Sequence, residues 1–370
     1  MLSHETVCIL NTSDCVPCRL MQENTVVPTA RTAASFLAMV GPDLQRIRVG
    51  LQELCQDLPE PLRPLTRCGA LDGGKMLRSA LLLLWGRAGG AVTERHIQAG
   101  IILELLHNAT LLHDDVLDKG RIRRGVPTVN HRWGNQTAVL FGDLLLGKVL
   151  ELSAGSAPEV RTALGRIAVH TCDGEILQTA HAGHFTLSEQ EYLVIIGKKT
   201  AALFEGACYI GACLAGISEP QCRAAARFGY HVGTAYQIMD DLLDIAGDGK
   251  ALRKTLGTDL RGAKPTLPLI HALCILPRSP RARLLRKLRS HSADTGELLA
   301  VLADTDSMEY VLRRLRNYTD EALDVLRGFP QTAATTALSD VPEWIVREAT
   351  QGVAVSGDVR GRSSVQCPQR

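Results

Sequence analysis

Aromatic residues are scarce: Phe, Trp and Tyr make up 4% of the chain, although 45% of it is hydrophobic. The apolar content is therefore mostly Ala, Leu, Val and Ile, which favours helices over a β-sandwich. Strand signal is missing too, since no stretch alternates Val, Ile and Thr between turns, apart from ambiguous runs such as Tyr192–Ile196. There is no excess of charge: 41 Lys and Arg stand against 39 Asp and Glu, a net +2, so nothing suggests a nucleic-acid surface. No apolar run reaches the ~18 residues that a membrane span needs. The first residues lack a basic segment followed by an apolar one, so no signal peptide is expected. The 11 cysteines are scattered, mostly through apolar helical runs. Cys15 and Cys18 form a lone Cys-x-x-Cys without a second pair or a His pair at zinc spacing. The thiols read as reduced core residues of a cytoplasmic protein.

Helical periodicity is what the chain does contain. It runs from Thr32 to Leu58 through Leu37, Val40, Leu44, Ile47, Leu51 and Leu54, and Pro59, Pro61 and Pro64 stop it. A glycine-rich turn, Leu71–Ser79, enters an apolar helix at Ala80–Trp85, which Gly86–Ala91 breaks. Thr93 and Glu94 open the next helix. A basic stretch with Gly125 and Pro127 follows as a loop. Further helices are expected from Gln136, after Pro158, from Ser188 to about Gly216 and from Glu219 to Asp244, with shorter amphipathic ones at Arg281–Arg289, Thr295–Ala303 and Ser307–Leu326. The expected fold is all-α: one domain over residues 31–350, of roughly ten helices. Residues 1–30 read as a poorly ordered leader and residues 351–370 as a disordered tail.

Two carboxylate clusters carry the chemistry. Asp114, Asp115 and Asp118 end the apolar run Ile101–Leu112, and Asp240, Asp241 and Asp244 end a second helix in the same spacing. Positions i and i+4 share a helix face, so each cluster repels itself unless cations neutralise it. A single cluster is as readily a solvated helix cap; two copies in one order are not. Hard oxygen ligands in that number suit Mg²⁺, and neither cluster has the alternate spacing of a calcium loop. Mg²⁺ at such a site bridges to substrate phosphates, which gives the neighbouring cations a task. Lys75 and Arg78 stand at a glycine-led helix start, Arg123 and Arg124 just past the first cluster, and Lys254 and Lys264 past the second. Lys199 lies within a helix of small and apolar neighbours, where a buried ammonium must be paired. Taken singly, Arg123 and Arg124 read as surface charges, His107 as a core histidine, and Gln178 and Gln237 as ordinary helix polar residues.

In this ordered set the chain resembles the trans (E-type) polyprenyl diphosphate synthases. The matching stretches are Gly73–Arg78, His107–Asp118, Arg123–Gly125, Gly142-Asp143, Gly174-Glu175 with Gln178, Lys199-Thr200, Gln237–Asp244, Lys254 with Gly257–Asp259, and Lys264–Pro268. The likeness implies an isoprenoid-synthase-type helical bundle around a central cavity, three Mg²⁺ per active site, a homodimer, and membrane contact that is at most peripheral, for product release. It implies Asp114, Asp118 and Asp240 as metal ligands, with Asp115, Asp241 and Asp244 beside them in the catalytic machinery. Arg123, Lys199, Thr200, Gln237, Lys254 and Lys264 would hold an allylic diphosphate, and Lys75, Arg78, His107 and Arg124 isopentenyl diphosphate. Met76 and Ser79 stand where that family often has Arg and Pro, and Ala263 where Gly is common, but none of these changes removes a metal ligand.

Ala109 and Thr110 lie roughly 6 to 7.5 Å deeper along the helix than Asp114. Small side chains there imply a long product, about C30 or more, against the alternative of a C15–C20 product. Close helix packing by Ala109 is the competing explanation. A terpene cyclase or head-to-head synthase would need neither the Lys75–Arg78–His107 set nor the second cluster. A non-catalytic subunit of a heteromeric synthase would be expected to lack some of these charges, and a plain helical scaffold leaves them unexplained.

Overall fold

The helix that ends in the first cluster, α4 (Glu94–Leu117), is buried without interruption from Ile102 to Ala109. A helix that is apolar all round belongs in the middle of a bundle. Its start is fixed by Thr93, whose backbone N–H donates to Nδ1 of the buried His96 at 3.1 Å. The other ring nitrogen of His96 lies 3.2 Å from the Gly211 carbonyl, so this histidine is a structural clamp. Burial lowers its pKa.

The computed structural model describes residues 33–66, 74–246, 264–290, 292 and 294–361. Before α4 come α1 (Ala33–Gln56), the short α2 (Arg63–Thr66) and α3 (Leu77–Ala88). After it come a two-residue hairpin, β1 (Ile122–Arg123) and β2 (Val126–Pro127), then α5 (Val129–Trp133), α6 (Asn135–Ser153) and α7 (Pro158–Ala180). The next long run is α8 (Glu189–Ile196), a π-helical segment (Gly197–Ala201) and α9 (Ala202–Leu214). It is followed by α10 (Glu219–Ala246), α11 (Leu267–Ile275), α12 (Arg278–Arg289), α13 (Thr295–Asp304), α14 (Ser307–Leu326) and α15 (Ala333–Gly361). These elements belong to one unit, Thr32–Arg370. In it α3, α4, α9 and α10 form the interior, α6 packs on α4, and α14 and α15 pack on α10.

The all-α expectation holds, and the boundaries that differ have physical reasons. α1 runs straight through Pro42, at the cost of one backbone hydrogen bond. α3 continues past Gly86, because that glycine lets the ring of His96 pack against the helix. The basic segment expected as a loop contains the hairpin, with Ile122 opposite Pro127 and Arg123 opposite Val126. Its two turn residues, Arg124 (φ 51°) and Gly125 (φ 81°), take the positive φ values of a type I′ turn. Sequence reading missed α15 as an element. It continues to Gly361, across the expected tail boundary at 351, because Gly352 packs against Leu243 and Val353 lies against the core. Trp344 of α15 meets Phe36 of α1 edge-on at 6.0 Å, so the last helix covers the first.

Cys55, Cys172, Cys208, Cys213, Cys222 and Cys274 are free thiols. Cys15 and Cys18, with the leader, lie outside the described residues. No helix among the described residues is long and apolar enough to cross a membrane.

Candidate active site

Asp114 and Asp115 occupy the last turn of α4 and Asp118 is its C-cap. Asp240, Asp241 and Asp244 fall in the last turns of α10. A helix C-terminus is the negative end of its dipole, so carboxylates there need cations or donors facing them.

The first cluster is faced by cations from three directions. Lys199 Nζ, from the π-helical segment, lies 4.0 Å from Asp114, contacts the Glu175 carboxylate and donates to Gln178 Oε1 at 2.7 Å. Arg123, from the hairpin, donates through Nε to both oxygens of Asp115 (2.9 and 3.1 Å), with Nη2 2.9 Å from one of them. Lys264, just ahead of α11, donates to Asp118 at 2.7 Å. Burial raises the Asp114 carboxyl to about 6, against the opposing pull of Lys199. Burial likewise raises Asp115, with Arg123 opposing. Burial alone would lower Lys199, but Asp114 and Glu175 outweigh it and its pKa is raised.

In the second cluster, the described partners of Asp241 are neutral donors. Asp241 is buried and accepts from the Tyr192 hydroxyl (2.7 Å) and from Gln237 Nε2 (2.6 Å). Gln237 in turn accepts from the Thr200 hydroxyl at 2.7 Å. Lys199 and Thr200 are neighbours in sequence, yet one reaches the first cluster and the other the relay to the second. The π-helical segment that holds them is a local insertion into the helix, a form common at functional sites. Close approach makes it possible: a Cβ at Gly174 of α7 would lie 2.4 Å from the Lys199 backbone nitrogen.

A second group of cations gathers around the start of α3. Arg78 Nη1 lies 3.0 Å from His107 Nε2. Burial, together with Arg78, Arg124 and Arg123, pushes the His107 pKa well below the usual range, so the ring is neutral and accepts from Arg78. Its proton then sits on Nδ1, which is buried without a partner, as is Arg78 Nε. Burial lowers the Arg78 pKa, and Asp240 is among the charges acting on it. The Arg124 guanidinium lies against Gly74, where a Cβ would come within 2.7 Å of Nη2. Lys75 Nζ sits 4.6 Å above the Trp344 ring and Arg78 4.8 Å above Phe204.

Among the sequence-predicted residues, Asp114, Asp115, Asp118, Lys199, Arg123 and Lys264 come together. Thr200, Gln237 and Asp241 form the adjoining relay, and Arg78 and His107 pair at the second cation group. Asp240 and Asp244 stay half-buried at the end of α10. Lys254, Gly73 and Gly257–Asp259 lie outside the described residues. Ala109 is fully buried, whereas Thr110 keeps exposed surface and donates to the His107 carbonyl at 2.7 Å. Sequence reasoning gave no role to Glu175, Tyr192 or Trp344. Tyr192 stands seven residues before Lys199 on one helical run, a spacing that could have marked it.

All donors of the two clusters are carboxylate oxygens, a set suited to a hard divalent cation. Among the described residues no three His, Cys, Asp or Glu side chains are gathered closely enough to hold a metal alone.

The fold is the all-α isoprenoid-synthase fold. Residues 61–305 match the polyprenyl synthetase family. The chain is 33% identical over 315 residues to heptaprenyl diphosphate synthase component 2 of Geobacillus stearothermophilus, covering 84% of this chain and 97% of that protein. It is 33% identical over 291 residues to geranylgeranyl diphosphate synthase of Methanosarcina mazei, covering 76% and 89%. The crystal structure of a polyprenyl synthase from Caulobacter crescentus CB15, complexed with calcium and isoprenyl diphosphate, matches with a TM-score of 0.80 at 27% identity, over 86% of this chain and 98% of that one. The chain belongs to the polyprenyl synthetase family, whose members are metal-dependent trans-prenyltransferases.

Proposed function

We propose that this chain condenses isopentenyl diphosphate with an allylic diphosphate, such as farnesyl or geranylgeranyl diphosphate, to extend a trans-polyprenyl diphosphate. The observation that carries this reading is the pair Lys199 and Thr200, one set against Asp114 and the other tied through Gln237 to Asp241. Asp114, Asp118 and Asp240 hold Mg²⁺, three ions per site, with Asp244 in support. The ions supply charge neutralisation for the departing diphosphate.

The chain's own residues do the rest. Lys199 is held by Asp114, Glu175 and Gln178 where leaving-group charge accumulates, so little reorganisation is needed as the bond breaks. Arg123, Gln237, Lys254 and Lys264 complete the allylic diphosphate site. The allylic C–O bond breaks with its electron pair going to the diphosphate. The isopentenyl double bond attacks the allylic carbon, and the new cation loses a proton to the released diphosphate. Lys75, Arg78, His107 and Arg124 hold isopentenyl diphosphate, and the unpartnered Arg78 Nε and His107 Nδ1 supply two ready donors. No side-chain nucleophile is required.

Product length of about C30 or more rests on small residues below the first cluster, and Thr110 is the better candidate to line that space, since Ala109 is wholly packed. Identity does not decide length, because a heptaprenyl and a geranylgeranyl synthase are each 33% identical. The family likeness supports a homodimer. The name "component 2" of the Geobacillus protein favours a second reading, in which this chain works with another subunit. The test is incubation of purified protein with Mg²⁺, isopentenyl diphosphate and labelled farnesyl diphosphate, followed by product sizing. Products of C30 or longer are expected. A C20 product overturns the length, and no product, with or without added partner subunit, overturns the activity.

A further inference from the structure

The two aspartate clusters have the same internal burial pattern. The first Asp of each is half-buried, the second is buried, and the last is half-buried or exposed. The buried member is held by protein in both cases: Asp115 by Arg123 from the hairpin, Asp241 by Tyr192 from α8 and Gln237 from one turn earlier on α10. A buried carboxylate without such partners would be costly. Each second aspartate therefore uses its oxygens to fix the end of its helix, and the aspartates on either side of it are less deeply buried.

Tyr192 is itself buried. It lies on the helical run that goes on to Lys199 and Thr200. That run thus touches Asp114 through Lys199, Gln237 through Thr200 and Asp241 through Tyr192. Among these contacts Tyr192 is the one aimed straight at the second cluster. We propose that Tyr192 is a positioning residue for the second aspartate cluster: it holds Asp241 as an anchor, so that Asp240 and Asp244 keep their place relative to Lys199 and Asp114. The proposal rests on the function given above.

The test uses the full chain. Wild type and Tyr192→Phe are titrated with Mg²⁺ in the presence of inorganic diphosphate, reading the rise in Tm, and steady-state constants are measured for both substrates. The Mg²⁺ concentration at half-effect should rise about tenfold in Tyr192→Phe, the scale seen when a residue orienting a metal ligand is lost. The KM for the allylic diphosphate should rise with it and the KM for isopentenyl diphosphate should not. No change, or an equal change in all three, overturns the proposal. A wild type showing neither stabilisation nor turnover overturns the functional reading and this one together. As a second comparison, Asp241→Asn keeps an acceptor for Tyr192 and should lose about tenfold less activity than Asp240→Asn. Equal losses would make Asp241 a ligand and overturn its role as an anchor.

Discussion

Among the described residues each aspartate of the first cluster meets a cation, whereas the buried middle aspartate of the second, Asp241, accepts from neutral donors, although both clusters are written Asp-Asp-x-x-Asp. Lys199, Arg123 and Lys264 meet Asp114, Asp115 and Asp118. Tyr192 and Gln237 meet Asp241. The difference follows from what surrounds each helix end. α4 is followed by the basic hairpin, whereas α10 packs against α8 and the π-helical segment. The carboxylates of the first cluster are thus each set against a cation of the protein itself. In the second, the middle member Asp241 is fixed by Tyr192 and Gln237.

The largest effect expected from this contrast is on turnover. Asp114→Asn should lower kcat about 10³-fold or more with the helical circular dichroism unchanged. Near-normal turnover would remove the first cluster from the chemistry and break the comparison at its root.

The next effect is on stability and separates a charged anchor from a neutral one. Arg123→Leu leaves the buried Asp115 without its cation and should cost about 3 kcal/mol in urea unfolding of the metal-free protein. Tyr192→Phe removes one neutral donor and should cost about 1 kcal/mol. Equal costs would mean that the two anchors are equivalent.

The pH dependence sharpens the same point. Asp114 has a folded pKa of about 6, above its ordinary value of 3.8. The folded state therefore binds the proton more tightly than the unfolded state. Its contribution to stability is fully present below pH 3.8 and is lost as pH rises to about 6. A shift of this size, discounted for partial solvent access, gives a loss of roughly 2 kcal/mol in the metal-free protein. Mg²⁺ with inorganic diphosphate should abolish that loss, as read from Tm across the pH range. A loss that persists with both bound would place the cations elsewhere.

Much of this arrangement was legible in the sequence because it is local. The caps, Pro and Gly breaks and 3.6-residue periodicity put Asp114 and Asp240 at helix ends, and Arg123 lies close by Asp115 in the chain, whereas Lys264, which follows the second cluster, meets Asp118 of the first across 146 residues. What was not legible is long-range. Tyr192 and Asp241 are 49 residues apart, and a tyrosine in a Val/Ile-rich run reads as a core or strand residue. The hairpin escaped notice because Arg124 stands where an Asn would ordinarily announce a type I′ turn. Trp344 lies on a helix with weak periodicity, and only folding brings it over Lys75. The π-helical segment has no sequence signature, yet it decides which way Lys199 and Thr200 point.

The smallest effect concerns what lies beneath the first cluster. Ala109 and Thr110 were equivalent on helix geometry, and the structure separates them: Ala109 has no exposed surface, Thr110 has some. Thr110→Phe should therefore be accommodated with stability little changed and shorten the product by one or more C5 units. Ala109→Phe must displace packed neighbours and should cost about 1–3 kcal/mol in urea unfolding. Product sizing and unfolding of the two variants side by side decide the matter. If Ala109→Phe shortens the product at full stability while Thr110→Phe leaves it unchanged, the growing chain passes on the Ala109 side of α4 and the assignment made here is reversed.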